Sequence, residues 1–539
     1  MADIPTPTLN VFAVSRKRIF PTSQQPSGLV RTTPLSILDE SVLRFAPSAC
    51  VWIFSTPTLA REKMALSHAH LENTLSQTLG SYPQWAGQLH WSSSKTVEAH
   101  GVRPFGRLAV TYGSVTDDPG VEFVAATCPH SLNSLLPSST PGSRTGTHWR
   151  NATSFPTTEL LPSTPLALNN LKDYLGLPSM IVQITDFACG SVGVAVKLAH
   201  PLADAQALAH FVHDWAKLSR ACMSDPISPP PLPVNPVFEP SKLETAIGGP
   251  SSLTGPHPLP MHHYDWWASE SGCPEFMKGA TRPPTDSEVE GTYGTPIPWT
   301  EWDPTAPVSH YVLHFDRDGV QRLWEEAISS LSISRTNGVD GRLSRMDVVL
   351  AYVWGLILRA RGLETDDGPV HLDVTLGMRT RLSPPLPDSF LGSPIILADV
   401  LSSARSACLG SENGLTASTI RSTLEQFGSN AVHALLHRML TEHSPPWRYW
   451  QAFLGERHAI VTSWARLGVY DVDFGAGQRP ICVEGVMPNV DGCVQVMEAQ
   501  PSSRLDSEER KKGSQWYDDG VDVNLYLRTD VLEELVRKL

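Results

Sequence analysis

Met180–Trp215 reads MIVQITDFACGSVGVAVKLAHPLADAQALAHFVHDW, and its periodicity changes along the way. Met180 to Phe187 is rich in β-branched and apolar residues, as a buried strand is. Val192, Val194, Val196 and Leu198 then alternate with small or polar residues, the period of a second strand. His200-Pro201 ends that strand, because proline has no N–H to give to a central ladder. Beyond it, Leu208, Phe211, Val212, Trp215 and Leu218 recur at helical spacing, with Asp204 placed to cap the helix. Strand, strand and helix in this order are the parts of an α/β layer. His200 stands where the second strand stops and the chain turns, a position that holds a side chain rigidly yet leaves it accessible.

Working outward, Val51-Trp52-Ile53-Phe54 reads as a strand, and Leu59 to Leu79 as helical, broken at Tyr82-Pro83. From Ser224 to Trp302 the composition shifts to Pro, Gly and Ser, including Pro229-Pro230-Pro231. That is the composition of a crossover or linker, although Tyr264-Asp265-Trp266-Trp267 is apolar enough to dock on a surface. Strand and helix signals then resume. Met346 to Leu358 reads as a buried helix, and Asp373 to Leu376, Val494 to Met497 and Val521 to Leu527 as strands. Val531 to Leu539 reads as a closing helix. The expected organisation is α/β, with an N-terminal domain over 1–223, a Pro-rich crossover over 224–303 and a C-terminal domain over 304–539.

Composition narrows the function. The 539 residues suffice for two ordinary cores. A hydrophobic share of 41% with 18% charged residues is that of a globular protein. No apolar run reaches the roughly 18–20 residues of a membrane helix. Met1-Ala2-Asp3-Ile4-Pro5-Thr6-Pro7 lacks the basic start and apolar stretch of a signal peptide, so a cytoplasmic location is expected. The net charge of −13 argues against non-specific nucleic-acid binding and leaves room for a small basic pocket that takes an anionic ligand. Eight cysteines without a C-x-x-C read as reduced core thiols. His68 with His70, and His433 with His437, lack cysteines or carboxylates at ligand spacing, so no metal site is expected.

His200 and Asp204 form an H-x-x-x-D. The same spacing recurs at His210–Asp214 and His314–Asp318, so context must choose among them. His210 and Asp214 lie within one helix, where neighbours four apart pair on the surface. His314 lies in a strand-like stretch, and Asp318 in the turn-like Asp316-Arg317-Asp318-Gly319. Only His200 stands at a strand end. A neutral imidazole there suits general-base chemistry, since its ordinary pKa of about 6.5 lies near working pH. No G-x-S-x-G nucleophile elbow occurs, and Ser463 is not set up as a nucleophile.

Taken with several other segments, Met180–Trp215 resembles the heart of the BAHD acyltransferases, whose signatures are HxxxD and DFGWG. The second appears as Asp473-Phe474-Gly475-Ala476-Gly477. Leu35-Ser36-Ile37-Leu38-Asp39, Tyr82 to Leu89 (YPQWAGQL), Ser344 to Arg361, Arg379-Thr380-Arg381 with Pro384-Pro385-Leu386-Pro387, and Thr462-Ser463-Trp464 resemble further family segments in the family's order. The resemblance spans most of the chain outside the Pro-rich middle. Two positions depart from it: Ala205 replaces a glycine after HxxxD, and Ala476 replaces the DFGWG tryptophan.

The resemblance implies two chloramphenicol-acetyltransferase-like domains, each a mixed sheet with flanking helices. It implies acyl-CoA as co-substrate and no bound cofactor. His200 would be the general base that takes a proton from an acceptor hydroxyl, or less readily an amine. The Thr462 hydroxyl and the Trp464 indole N–H would be oxyanion donors, with Trp464 equally readable as a packed core aromatic. Asp204 would point away from the pocket and pair with Arg379 or Arg381 of the second domain. Asp473, Phe474, Gly475 and Gly477 would support architecture near the donor channel. The partners implied are acyl-CoA and an apolar small-molecule acceptor, handled by a monomer. The long middle insert favours a fungal, secondary-metabolite acceptor and an acetyl donor. Two rival readings are a degenerate member that binds without turnover and a condensation-type enzyme. The latter usually carries two adjacent histidines, and Ala199 holds the first position here. Arg537-Lys538-Leu539 is similar to the peroxisomal S-K-L address but for Arg537; basic residues closing a terminal helix explain it more simply.

Overall fold

The computed structural model describes residues 10–22, 29–92, 97–98, 101–102, 107–135, 140–141, 147–155, 157–164, 175–224, 235–245, 259–266, 273, 294–334, 342–408, 414–441, 446–501 and 515–539. Trp267 and Pro229-Pro230-Pro231 lie outside the described residues.

The run Ser48–Phe54 is buried along its whole length, and from Ala49 on it is continuously apolar and not alternating, as a strand covered on both faces must be. It lies inside a six-stranded sheet with the spatial order Phe12–Ile19, Val121–Cys128, Met180–Phe187, Val192–Leu198, Ser48–Phe54, Cys482–Gly485. A second sheet of eight strands runs Ile395–Ser403, Pro369–Gly377, His458–Ser463, Cys493–Glu498, Val521–Arg528, Val308–Phe315, His148–Asn151, Thr140–Pro141. Both sheets mix parallel and antiparallel pairs. Each sheet also takes strands from the far side of the Pro-rich stretch. Cys482–Gly485 pairs with Ser48–Phe54 in the first sheet, and His148–Asn151 pairs with Val308–Phe315 in the second. The boundaries expected at 223 and 304 follow chain order, whereas the sheets cross them.

Helix Ala205–Ser224 lays Leu208, Phe211, Val212 and Trp215 in the apolar core of the first sheet, all four with no solvent exposure. Helix Arg345–Ala360 does the same for the second. It starts at a capping box, in which the Ser344 hydroxyl accepts from the Asp347 N–H while the Asp347 carboxylate accepts from the Ser344 N–H.

Two local expectations change, and the docking expected of Tyr264-Asp265-Trp266 is met. Leu59–Leu79 is two helices, Ala60–Ala65 and His68–Thr78, because Ser67 opens a new helix by accepting from the His70 N–H. Asp318 lies inside helix Arg317–Ser334, not in a turn, since Asp316 accepts from the Gly319 N–H and starts the helix there. The middle segment, Pro-rich in sequence, is anchored in part. Tyr264–Asp265 is the middle strand between Thr295–Pro296 and Tyr449–Trp450. Asp265 there makes a buried two-bond pair with Arg448, at 2.8 and 2.6 Å.

None of the eight cysteines is in a disulfide, and five of them are buried. No helix among the described residues is long and apolar enough to cross a membrane. The chain end closes helix Thr529–Lys538, where Lys538 Nζ donates to the Arg359 carbonyl and pairs with Glu364 at 2.9 Å.

Candidate active site

His200 opens a single 3₁₀ turn, His200–Leu202, directly after strand Val192–Leu198. The turn is tied to the segment that follows the PPLP stretch. Ala203 bridges Gly392, the Asp204 N–H donates to the Gly392 carbonyl at 3.0 Å, and the Ser48 hydroxyl donates to the Ala203 carbonyl at 2.6 Å. The imidazole Nδ1 lies 3.0 Å from the Ser393 hydroxyl, and that hydroxyl donates its only proton to the His200 carbonyl at 2.5 Å. Ser393 Oγ must therefore accept from Nδ1–H, which leaves the lone pair on Nε2. Phe45 meets the ring edge-on at 5.5 Å. Burial pulls the His200 pKa down to about 4 despite the opposing charge of Asp204, so the ring is neutral through the neutral range.

Ser393 has its own support. Its N–H donates to Asp39 Oδ1 at 2.6 Å, and Asp39 Oδ2 accepts from both the N–H and the hydroxyl of Ser36. Burial raises the Asp39 pKa to about 6, against the hydrogen bonds from Ser36 and Ser393. Gly392 has φ +106°, and a Cβ on it would stand 2.7 Å from Asp39 Oδ1, so only glycine fits both the backbone and the contact. Sequence reading missed Ser393 and Gly392; the one signal was that Phe390-Leu391-Gly392-Ser393 begins three residues after a recognisable motif that ends at Pro387. Ser393→Ala removes one neutral hydrogen bond to the ring, worth about 0.5–1.5 kcal/mol. Turnover is expected to fall roughly 3- to 10-fold, with KM kept, in a steady-state assay; an unchanged kcat would remove Ser393 from the account.

Asp204 faces away from the ring. Its Oδ1 accepts from the Ala207 N–H at 2.9 Å, capping helix Ala205–Ser224, and from Arg379 at 3.0 Å, while Oδ2 accepts from Arg379 at 2.6 Å. Both side chains are buried, and Arg379 also donates to the Phe390 carbonyl. Arg381, the other partner considered, is turned away and donates to the carbonyls of Leu424 and Phe427, which end helix Gly414–Glu425 and its following turn.

Thr462 is half-buried on strand His458–Ser463, and Trp464, just beyond it, is 4% exposed in the same apolar cluster as Leu198, Ala199 and Leu202. With the Gln495 amide oriented to satisfy its neighbours, its oxygen accepts from Trp464 Nε1 at 3.2 Å and its nitrogen donates to the Gly485 carbonyl at 2.8 Å. The indole N–H is thus already used, which favours the packed-aromatic reading of Trp464. Among the described residues no hydrogen bond joins Thr462 or Trp464 to His200.

Asp473–Gly477 clasps the far end of the helix that Asp204 begins. Asp473 Oδ1 accepts from the N–H groups of Gly475 and Gly477, Arg220 and Ser219 donate to the carbonyls of Asp473 and Phe474, and Phe474 packs edge-on against Trp215 at 4.8 Å. Ala476, at the motif's tryptophan position, is buried in the same cluster.

The other two H-x-x-x-D matches have different surroundings. His210 Nε2 lies 3.4 Å from Asp214, as helical spacing allows, but Asp214 is buried and accepts from the Tyr82 hydroxyl at 2.7 Å, so the pair is not a surface one. His314 pairs across the sheet with Asp522 at 2.7 Å and not with Asp318. Burial opposes charge on His314, yet the Asp522 carboxylate wins and raises its pKa, the wrong direction for a base at neutral pH.

A family model described as Transferase family matches residues 9–260 and 296–511. The acyltransferase AFT15-1 of Alternaria alternata is 27% identical over 93% of this chain and 91% of its own. Among solved structures, vinorine synthase covers 97% of this chain and 96% of its own at 20% identity and TM-score 0.60. TRI101 of F. sporotrichioides, solved with coenzyme A and T-2, covers 94% and 97% at 15% identity and TM-score 0.59. These likenesses carry the fold, and the family match, covering most of the chain, carries the chemistry class: the chain belongs to the Transferase family, the BAHD acyltransferases, and is an acyl-transferring enzyme.

Proposed function

We propose that this enzyme moves an acyl group, with acetyl favoured, from coenzyme A to a hydroxyl of a mostly apolar small molecule. His200 is the general base, and no covalent enzyme intermediate forms. The observation that carries this reading is the tautomer of His200: Nδ1–H is committed to Ser393, so Nε2 carries the lone pair on a neutral ring. Nε2 takes the acceptor's hydroxyl proton as that oxygen attacks the thioester carbonyl. The tetrahedral intermediate then collapses, the C–S bond breaks, and the imidazolium returns the proton to the departing thiolate. Thr462, whose hydroxyl stands on a rigid strand, is the proposed oxyanion donor; Trp464 supports the strand through Gln495. Asp204 and Arg379 position the His200 turn without touching the proton. The complex of TRI101 with coenzyme A and T-2 supports a coenzyme A donor and a small-molecule acceptor. Both parts of the site come from one chain, which suits a monomer, and the proposed setting is the cytoplasm.

The experiment is a thermal melt followed by turnover. A ligand that binds only the folded chain at a hundred times its Kd adds about 3 kcal/mol of apparent stability. Saturating acetyl-CoA is therefore expected to raise Tm, and thiol release is expected once an acceptor is supplied. No shift in Tm with acetyl-CoA or a longer acyl-CoA would defeat the donor assignment. A shift without thiol release across a panel of apolar alcohols would leave a binding protein.

A further inference from the structure

The fold assembles a donor cluster that no spacing in the chain announces. His371 and Asp373 alternate on one face of strand Pro369–Gly377. Asp399 stands opposite Asp373 on the antiparallel neighbour, and His458 opposite His371 on the parallel one. Side chains two apart on a strand, and those of paired residues, share a face, so all four project together. Leu372 and Val374, on the other face, belong to the helix-covered core. His262, from the anchored middle segment, closes over them. Its Nε2 lies 3.3 Å from Asp373 Oδ1 and 3.5 Å from Asp399 Oδ1. The rings of His371 and His458 stack at 4.5 Å, and the His262 ring lies 4.8 and 5.5 Å from them. One nitrogen from each imidazole lies within 4.8 Å of the others, as do the donor atoms of His262, Asp373 and Asp399.

Three of these atoms, His262 Nε2, His458 Nε2 and Asp373 Oδ1, are buried without a hydrogen-bond partner. Asp373 has no solvent exposure and His458 only 4%. Buried polar atoms are almost always paired. His262 belongs to both three-donor groups, one with His371 and His458 and one with Asp373 and Asp399, and an ion held by the three imidazoles would give the unpartnered nitrogens of His262 and His458 a common partner. The ion pairs described for Asp373 and Asp399 are to imidazoles, so the carboxylates have no arginine or lysine partner in those pairs.

We propose that this cluster binds one divalent transition-metal ion of the zinc class, with His262, His371 and His458 as ligands. Three imidazoles are a zinc-type donor set. Donors at about 2.1 Å around a tetrahedral ion stand about 3.4 Å apart, and the three imidazole nitrogens already lie within 4.8 Å of one another, with Asp373 adding negative charge 3.3 Å from His262 Nε2. Asp399 accepts from His371 Nδ1 at 2.9 Å, the outer contact that turns the other ring nitrogen toward an ion. The ion ties the middle segment to the second sheet. It takes no part in the chemistry at His200, with which the cluster shares no residue.

The test uses the full chain without a histidine tag, stripped with EDTA, dialysed and titrated with Zn²⁺ against a chromophoric chelator. One Zn²⁺ per chain is expected, with Tm rising by about 2 °C or more at a hundredfold excess over Kd. His262→Ala and His458→Ala are each expected to abolish stoichiometric binding, and Asp399→Asn to weaken it about 10- to 100-fold. His263→Ala, at the exposed neighbour, is expected to keep one Zn²⁺. His262 lies outside the sheet, so its variant stays informative if His458→Ala fails to fold. A folded wild-type chain that takes up no stoichiometric Zn²⁺, or one whose single Zn²⁺ survives His262→Ala, overturns the proposal.

Discussion

His200→Ala is expected to reduce turnover by about a hundredfold or more, the scale of losing a general base, while acyl-CoA binding by titration calorimetry stays close to wild type. The two readouts separate because the imidazole acts on the acceptor's proton and is not needed to hold the donor. The pH profile carries a second signature. Burial holds the ring's pKa near 4, so the rate is expected to stay level through pH 6.5 and fall only as pH approaches 4. The sign for stability runs the same way. An unfolded chain binds this proton near pH 6.5 and the folded chain only near 4, so between these values the unfolded state binds more protons and stability drops as pH falls. Circular dichroism at each pH distinguishes loss of the base from loss of the fold. His210→Ala and His314→Ala are expected to change stability within about 0.5–3 kcal/mol and the rate little. Wild-type turnover in His200→Ala would sink the mechanism, and turnover lost equally in His314→Ala would redirect it to that strand.

The strand, strand, turn and helix around His200 were legible because each has a period of its own. Met180–Phe187 and Val192–Leu198 fall on the expected residues, and Asp204 is a helix cap as its position before Ala205 suggested. What stayed hidden needed a third dimension. Cys482–Gly485 is four residues long, and nothing in four residues says that their partner is Ser48–Phe54. Arg379 and Arg381 belong to one short motif, and spacing could not choose between them. In the fold, Arg379 turns to Asp204 and Arg381 to the end of another helix. Ser393 was invisible because its role depends on a hydroxyl direction set by the His200 carbonyl and Asp39 together. His262, His371 and His458 sit on separate stretches of chain, so ligand spacing of the kind tested at His68 and His70 could not find them. In the fold those two have other partners: His68 faces Asp186 at 3.1 Å, and His70 the Ser219 hydroxyl at 2.7 Å.

Arg379→Met is expected to destabilise the protein by about 3–5 kcal/mol, the usual result of leaving one member of a buried ion pair uncompensated. Asp204 is almost wholly buried and receives two bonds from this guanidinium. Without it, one Oδ1 bond from the Ala207 N–H remains, which satisfies the cap but not the charge. The Phe390 carbonyl loses its donor in the same step. Asp204→Asn keeps an oxygen for the cap and removes the charge, so the double variant, Asp204→Asn with Arg379→Met, has no stranded carboxylate. It should therefore be less unstable than the two single changes added together, by a coupling of about 1–3 kcal/mol in urea melts. Because the Asp204 N–H holds the Gly392 carbonyl and Ser393 stands next to it, loss of the pair should loosen the contact that sets the His200 tautomer. In variants still folded at the assay temperature, kcat should fall while acyl-CoA affinity changes less. Asp204→Asn should lose activity in proportion to the order of the His200 turn, read by hydrogen exchange at residues 199–204. Complete loss of turnover in a chain whose stability and exchange match wild type would instead place the carboxylate in the chemistry. Strictly additive energies across the cycle would show that the pair is not coupled and that Arg379 acts through the Phe390 carbonyl alone.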